Sequence, residues 1–566
     1  MNLFETHRTR FEQARETCRT RVCWSPFPEM PGKYPDAERA RAAGQQAFEG
    51  YLARPFPLEL PGCQPGSAGV GQEVSPYTGQ RLGITYPQAA LDALFEAAEA
   101  AMTQGWESAD PETRIGLLLE VIERLFQRMF EVSFAVMHTS GQSFNMSYAG
   151  SGVNALDRGI EALVYAHEAM AGVARQATWQ RSFGSATIAL DKTYRLVPRG
   201  VAVCFTCASF PTWNAWPSMM ASLATGNAVI VKPHPATVLP MAISVEVFRT
   251  TLKEFGFNPN LVTMAVDTFE APIGKTIVKH PRAAIIDFTG SVGFGQWVEK
   301  NSHPALAFTE SAGLNTVVIE SCDDLPAVLR SLATTLCMFS AQMCTSPQNI
   351  YLPASGVRVG RGAAAHTVAA EAVASQLASA VAALVEDPRK AAMILATIQS
   401  GQSLRLIDRL RDEGRQRGRV LLDSHAYVHP EFPQARTATP MMLGVTPDER
   451  DLYCEERFGP ISFCITTADA DDALRQATRD VKQHGGLTAF LYSTDDEFIA
   501  RAEAAYARAG AQLTINLTGP MPLNFAAAYS DYHVTGLNPA GNAALTDAAF
   551  VASRFRIAQS RRPANP

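Results

Sequence analysis

The chain carries little charge for its length. Charged residues fill 18% of its 566 positions and the net charge is −6, which excludes a disordered acidic tail and a polybasic nucleic-acid surface. No nucleic acid is therefore expected as a partner. No apolar run reaches the roughly 20 residues of a membrane span, so no membrane is expected either. The amino terminus, MNLFETHRTRFEQARE, is charged where a secretory leader needs an apolar core, and the expected location is the cytoplasm. The ten cysteines are scattered and lack the spacing of a disulfide framework. Cys204 and Cys207 form a CxxC inside the apolar VAVCFTCASF, with no second pair at finger spacing and no nearby histidine, so no metal is expected there. Internal repeats are missing too.

What is present is a multidomain globular chain, 47% hydrophobic and too long for one core. Residues 1–68 read as an amino-terminal extension, in which two helical pieces flank WSPFPEMPGKYP and precede ARPFPLELPGCQPG. Its prolines fix turns without building a core, and it shows no chemistry. From Glu73 the period becomes helical. Over Glu112–Gly141 the residues Leu118, Ile122, Leu125 and Met129 share one face, which predicts a core helix. Phe183–Val197 alternates and is rich in β-branched residues, as an extended hairpin is.

After Pro198 short apolar runs alternate with helical segments: VAVCFT, AVIVKP, LVTMAV, AAIIDFTG and NTVVI. Fully apolar strands separated by helices predict an α/β fold with a doubly wound parallel sheet, whose ligands bind at the carboxyl ends of the strands. A second α/β region follows, with strands at QNIYLP, RVLLD, PISFCIT and LTAFLY.

In MFSAQMCTSPQ, Cys344 lies among small and polar residues instead of within an apolar run. A thiol acts as a nucleophile only as the thiolate, in a reachable and polarising setting, and this loop offers one. An isolated cysteine is nevertheless more often a small buried hydrophobe. Four further stretches decide between these readings: Asn227 to Pro233 (NAVIVKP), Phe288 to Ser291 (FTGS), Glu310 to Gly313 (ESAG) and Glu455 to Pro460 (EERFGP). With Cys344, and in this order and spacing, they resemble the aldehyde dehydrogenase superfamily over roughly residues 70–560. Glu310 precedes Cys344 by 34 residues, the interval that family shows between base and nucleophile. More narrowly, WSPFPEMPGKY, VKPHPATVLP and AAYSDYHVTGLNPAGNAALTDAAFV resemble the PaaN-type dehydrogenases of phenylacetic acid degradation.

The resemblance implies an aldehyde dehydrogenase-like fold: a Rossmann-type parallel sheet, a second α/β catalytic domain and a small β bridging element. It divides the chain into a dinucleotide-binding domain (69–183 and 198–309), a catalytic domain (310–511) and an oligomerisation element (184–197 and 512–566), and it implies a dimer or tetramer. Cys344 would attack an aldehyde, and Glu310, mobile or tuned upward in pKa, would activate the water that releases the acid. A water-activating Glu310 favours hydrolysis over transfer to coenzyme A. The narrower resemblance implies a CoA-linked semialdehyde as substrate. A CoA-acylating enzyme and a retired dinucleotide-binding scaffold are the alternatives.

The implied cofactor is NADP or NAD, held by Lys232, Gly290, Ser291, Glu456 and Phe458. Lys232 ends an apolar strand as a lone cation, placed for ribose hydroxyls or an adenosine phosphate. The run Gly290-Ser-Val-Gly293-Phe-Gly295 does not match the GxGxxG fingerprint. Three departures from the family pattern stand out. Ser311 replaces the leucine of ELGG. Pro235 stands where many NAD-using members carry a ribose-binding glutamate, which admits NADP, with His234 as a helper. The family's oxyanion asparagine, 23 residues before the strand lysine, is Ser209 here. Asn214 is the other candidate, and Ser209 is narrowly preferred.

Overall fold

The computed structural model describes residues 2–63, 69–311 and 313–564. The boundary expected at 68 and Ala312, inside the ESAG motif, lie outside the described residues. Two parallel sheets form the frame. The first has five strands in the order Val262–Met264, Ala228–Lys232, Val201–Phe205, Ala283–Gly290 and Leu306–Ser311, all parallel. Every residue of Val201–Phe205 and Ala228–Lys232 is buried, because helices cover both faces.

The second sheet has seven strands, ordered Arg419–Leu422, Met441–Val445, Ile461–Thr467, Pro347–Pro353, Asn315–Ile319, Thr488–Tyr492 and Gln512–Ile515. Only Arg419–Leu422 is antiparallel to its neighbour. Its two faces carry separate apolar clusters. Among the described residues no helix is long and apolar enough to cross a membrane.

The helical stripe over 112–141 breaks into Pro111–Gln127 and Met129–Ser140 at Arg128, whose φ and ψ of −98° and 16° leave the helical region. The guanidinium of Arg128 donates to Glu131, Glu246 and Tyr51, so an anchored charge sits where periodicity alone predicted continuity. The extension packs on these helices through Leu3–Thr20 and Ala37–Tyr51. Gly44 allows this approach, since a Cβ there would come within 2.6 Å of Phe130.

The element expected to bridge subunits has different bounds at both ends. The hairpin pairs Gln176–Phe183 with Ala186–Pro198, turning at Gly184 with φ 61°; its first arm therefore lies in the segment assigned to the dinucleotide domain. In the tail only Phe555–Pro563 joins this sheet. Gln512–Ile515 is instead the edge of the seven-stranded sheet. Glu310, expected in the catalytic domain, ends the edge strand of the five-stranded sheet.

Candidate active site

A cavity of about 870 Å³ opens at the carboxyl ends of the five-stranded sheet and reaches Cys344. The first sheet contributes Lys232, Phe288–Ser291 and Glu310, each at a strand end, and the loop before Pro347–Pro353 contributes Cys344. Two residues 34 positions apart thus meet because their strands belong to adjoining sheets.

A third residue joins them. His533 Nε2 lies 2.9 Å from Glu310 Oε1 and 3.4 Å from Cys344 Sγ, and the three donor atoms fall within 4.8 Å of one another. Trp213 packs beside the imidazole at 4.5 Å between ring centroids. Burial pushes the Cys344 thiol well above the usual thiol range, and the Glu310 carboxylate adds to this. Burial also works to raise Glu310, but the charge and hydrogen bond of His533, helped by Asn214, outweigh it and leave the carboxyl below its usual range. The upward tuning expected of Glu310 is absent in this geometry. The sequence gives no sign of His533, a single histidine in SDYHVTG with no spacing signal to tie it to a site.

The Cys344 loop is held in an unusual conformation. Phe339, Ser340 and Ala341 have φ of 51°, 50° and 49°, three consecutive left-handed residues of which none is glycine. Each costs on the order of 1–2 kcal/mol, so neighbouring structure must impose them. It does so through a strap at Ala396–Gln399. Ser340 Oγ donates to Ala396 O at 3.0 Å and accepts from Ala396 N at 3.1 Å. Gln342 Nε2 donates to Thr397 O at 3.0 Å, and Gln342 Oε1 accepts from Gln399 N at 2.9 Å. On the far side Asn315 Nδ2 donates to the carbonyls of Cys344 and Ser346 at 2.8 and 2.9 Å.

Both oxyanion candidates line the cavity. Ser209 Oγ lies 3.8 Å from Cys207 Sγ, a weak contact. Asn214 Nδ2 donates to Thr289 Oγ1 at 2.9 Å, and its Oδ1 is buried without a partner among the described residues. Ser311, the departure beside the base, is buried. Its N–H donates to Ala540 O at 2.6 Å, and Gly295 packs so closely over its hydroxyl that a Cβ would come within 2.7 Å.

At the other end of the cavity Lys232 is not a lone cation. Its Nζ donates to Asp267 Oδ1 at 2.6 Å and to Pro233 O at 3.1 Å, and burial lowers its pKa. Asp267 follows the run LVTMAV, a spacing of 35 residues from Lys232 that no motif records. His234 lines the same end; burial, and then the charge of Lys232, push its pKa down to about 4. Pro235 is buried and does not line the cavity. Gly290, Ser291, Glu456 and Phe458 all do, and burial raises the Glu456 carboxyl to about 8.

A doubly wound sheet that gathers a half-buried thiol with a buried carboxylate and a buried imidazole at its carboxyl edge defines a site for thiol chemistry. The sequence profile described as "Aldehyde dehydrogenase family" matches residues 66–522, and the chain belongs to that family. It is 42% identical, over the full length of both chains and with a TM-score of 0.94, to a crystal structure of an NAD-dependent aldehyde dehydrogenase from Burkholderia multivorans. Among curated proteins it is 23% identical over 524 residues to a 1-pyrroline-5-carboxylate dehydrogenase of Bacillus licheniformis, covering 88% of this chain and 92% of the relative. A Thermus 1-pyrroline-5-carboxylate dehydrogenase with bound NAD shares the fold at 19% identity and a TM-score of 0.74, covering 96% of this chain and 100% of the other.

Proposed function

We propose that this chain oxidises an aldehyde to a carboxylic acid through an acyl thioester on Cys344, with NAD or NADP as co-substrate. The observation that carries the reading is the convergence of Cys344, Glu310 and His533 within 4.8 Å in a cavity that also reaches the strand-end pair Lys232–Asp267.

The residues present fit a nicotinamide dinucleotide. Lys232 keeps one N–H beyond the two it uses. The helix Val292–Asn301 begins directly after Ser291 at the cavity wall, where its amino-terminal N–H groups suit a pyrophosphate. The Glu456 carboxyl accepts from no side chain among the described residues and is free for a ribose hydroxyl. Once bound, the nicotinamide supplies a hydride acceptor.

The protein's own part follows from the geometry. A thiol whose pKa burial has raised must lose its proton before attack, and the ionised Glu310 carboxylate, hydrogen-bonded to that thiol and kept charged by His533, is placed to take it. Cys344 Sγ then bonds the aldehyde carbon, and Ser209 donates its hydroxyl to the developing oxyanion beside the Cys344 backbone N–H. Asn214, committed to Thr289 and placed at Glu310, positions the base. With the acyl group on sulfur, the Glu310–His533 pair takes a proton from water, hydroxide attacks the thioester, and the thiolate leaves as the acid departs.

The finer substrate we propose is a CoA-linked semialdehyde of aerobic phenylacetate ring cleavage. It is supported by WSPFPEMPGKY and the AAYSDYHVTGLNPAGNAALTDAAFV tail and by an aldehyde end walled by Met146, Gly150, Phe210, Trp213, Met343 and Phe525, with Asn154 and Asn524 among its polar groups. Apart from His533, which Glu310 already engages, that wall carries no cation for a free carboxylate among the described residues. We also propose that the five-stranded sheet serves the dinucleotide, that the seven-stranded sheet serves the thiol, and that the three-stranded sheet bridges to a second copy. Exposed Phe183, Ile188, Val197 and Ile557 on that sheet support the last point, which light scattering showing a monomer would overturn.

The test is a panel of aldehydes, free and CoA-linked, assayed with NAD and NADP against Cys344→Ala as the blank. Carboxylic acid formed by the wild type and absent from the blank supports the reading. Turnover surviving in the blank overturns the mechanism, and acyl-CoA formed on adding free coenzyme A overturns hydrolysis as the outcome.

A further inference from the structure

We infer that the buried pair Lys232–Asp267 makes this chain selective for the cofactor whose adenosine ribose carries a free 2′-hydroxyl, NAD, over its 2′-phosphorylated form. This rests on the dinucleotide reading above and adds a residue that reading does not need.

Lys232 and Glu310 end strands separated by three strand spacings, roughly 14 Å at ~4.8 Å each. A dinucleotide with its nicotinamide at Cys344 therefore lays its other nucleoside toward Lys232. What that nucleoside meets is set by four groups. Lys232 Nζ is 2.6 Å from Asp267 Oδ1, and the two side chains are 9% and 1% exposed. The other carboxylate oxygen accepts from Ile273 N at 3.0 Å, so Asp267 is fixed against the lysine and cannot swing away. His234 Nδ1 already accepts from Ala236 N at 3.2 Å, and burial keeps its ring neutral at pH 7. Pro235, with no side-chain donor, is buried outside the wall.

Among the described residues that line the cavity, this end therefore holds one cation already neutralised by one anion, and no second lysine or arginine. A ribose diol suits it, because Lys232 has a third N–H to donate and the carboxylate oxygens retain unused lone pairs. A 2′-phosphate carries about −1.5 to −2 charges and needs a cation not already engaged at 2.6 Å. The chain reaches through Asp267, in the loop after a different strand, the selectivity that Pro235 leaves unassigned three positions after Lys232.

Calorimetric titration of the full-length protein with NADH, NADPH, 5′-AMP and adenosine 2′,5′-bisphosphate tests this without turnover. Wild type is expected to bind NADH at least tenfold more tightly than NADPH, and 5′-AMP more tightly than the bisphosphate. Asp267→Asn, which keeps the shape and removes the charge, is expected to shrink the NADH/NADPH ratio by about tenfold or more, chiefly by tightening NADPH. Equal binding of NADH and NADPH by wild type overturns the inference whether or not the variant folds, and so does an unchanged ratio in a folded variant. Binding of neither dinucleotide overturns the dehydrogenase reading instead.

Discussion

His533 Nε2 stands 2.9 Å from Glu310 Oε1, and this imidazole holds the buried carboxyl below its usual pKa against the opposing effect of burial. Removing the imidazole leaves burial in charge. In His533→Gln the Glu310 pKa rises, so the ionised base is lost at a higher pH, and the acidic limb of the kcat–pH profile moves upward. Proton removal from Cys344 weakens as well, and general acid–base assistance is typically worth about 10²–10⁴-fold. Pre-steady-state kinetics should therefore show slower acylation alongside the displaced limb. A His533→Gln profile that overlays wild type removes His533 from the mechanism.

The left-handed turn before Cys344 makes a second expectation. Ser340→Ala deletes both hydrogen bonds to Ala396 while leaving every residue that touches substrate intact. With the strap cut, the strained residues relax and the thiol is displaced, which at a reacting centre costs on the order of 10²-fold in kcat for about 1 Å. Stability should rise or fall by only about 1 kcal/mol, because lost hydrogen bonds offset released strain. Unchanged kcat in Ser340→Ala would show that the strap does not position the nucleophile.

Ser209 and Asn214 separate by what their removal disturbs. An oxyanion donor is worth about 2.7–4 kcal/mol, or 10²–10³ in kcat, with no change in the pH profile. Ser209→Ala is expected to show that loss. Asn214→Ala removes a group that lowers Glu310, so its acidic limb should shift upward with a smaller change at the plateau. The reverse pattern would exchange the two roles.

The two parallel sheets were legible because apolar strands buried on both faces leave an unambiguous mark, as VAVCF and AVIVK do. Cys344, Glu310 and Lys232 were legible because each sits in a local motif at a fixed interval. Their partners were not. His533 lies 189 residues beyond Cys344 and reaches it because the tail after Gln512–Ile515 folds back along the edge strand, Ser311 N–H bonding Ala540 O. That return path is a tertiary fact with no period to betray it. Asp267 follows its strand as any loop acid would, and only the strand order places it against Lys232. The break at Arg128 was hidden for a similar reason, since Glu246, 118 residues away, helps hold it.

Arg554 offers a stability test at the root of the three-stranded sheet that Phe555–Pro563 joins. The residue is wholly buried, its guanidinium donates to both oxygens of Asp287 at 2.5 and 2.9 Å and to Ser222 Oγ at 2.7 Å, and the Phe308 and Phe550 rings flank it at 4.5 and 4.2 Å. Asp287 lies in the strand Ala283–Gly290, inside the sheet that carries Gly290 to the cavity. Arg554→Ala therefore leaves an unpaired carboxylate in the core and loosens the start of Phe555–Pro563 at once. Breaking such a pair from one side costs about 3–5 kcal/mol, so the thermal midpoint should fall clearly. Replacing both partners, Arg554→Met with Asp287→Asn, removes the stranded charge and should recover part of the loss. If the single and double variants melt together, the cost comes from lost packing between the two phenylalanines, and the ion pair itself contributes little.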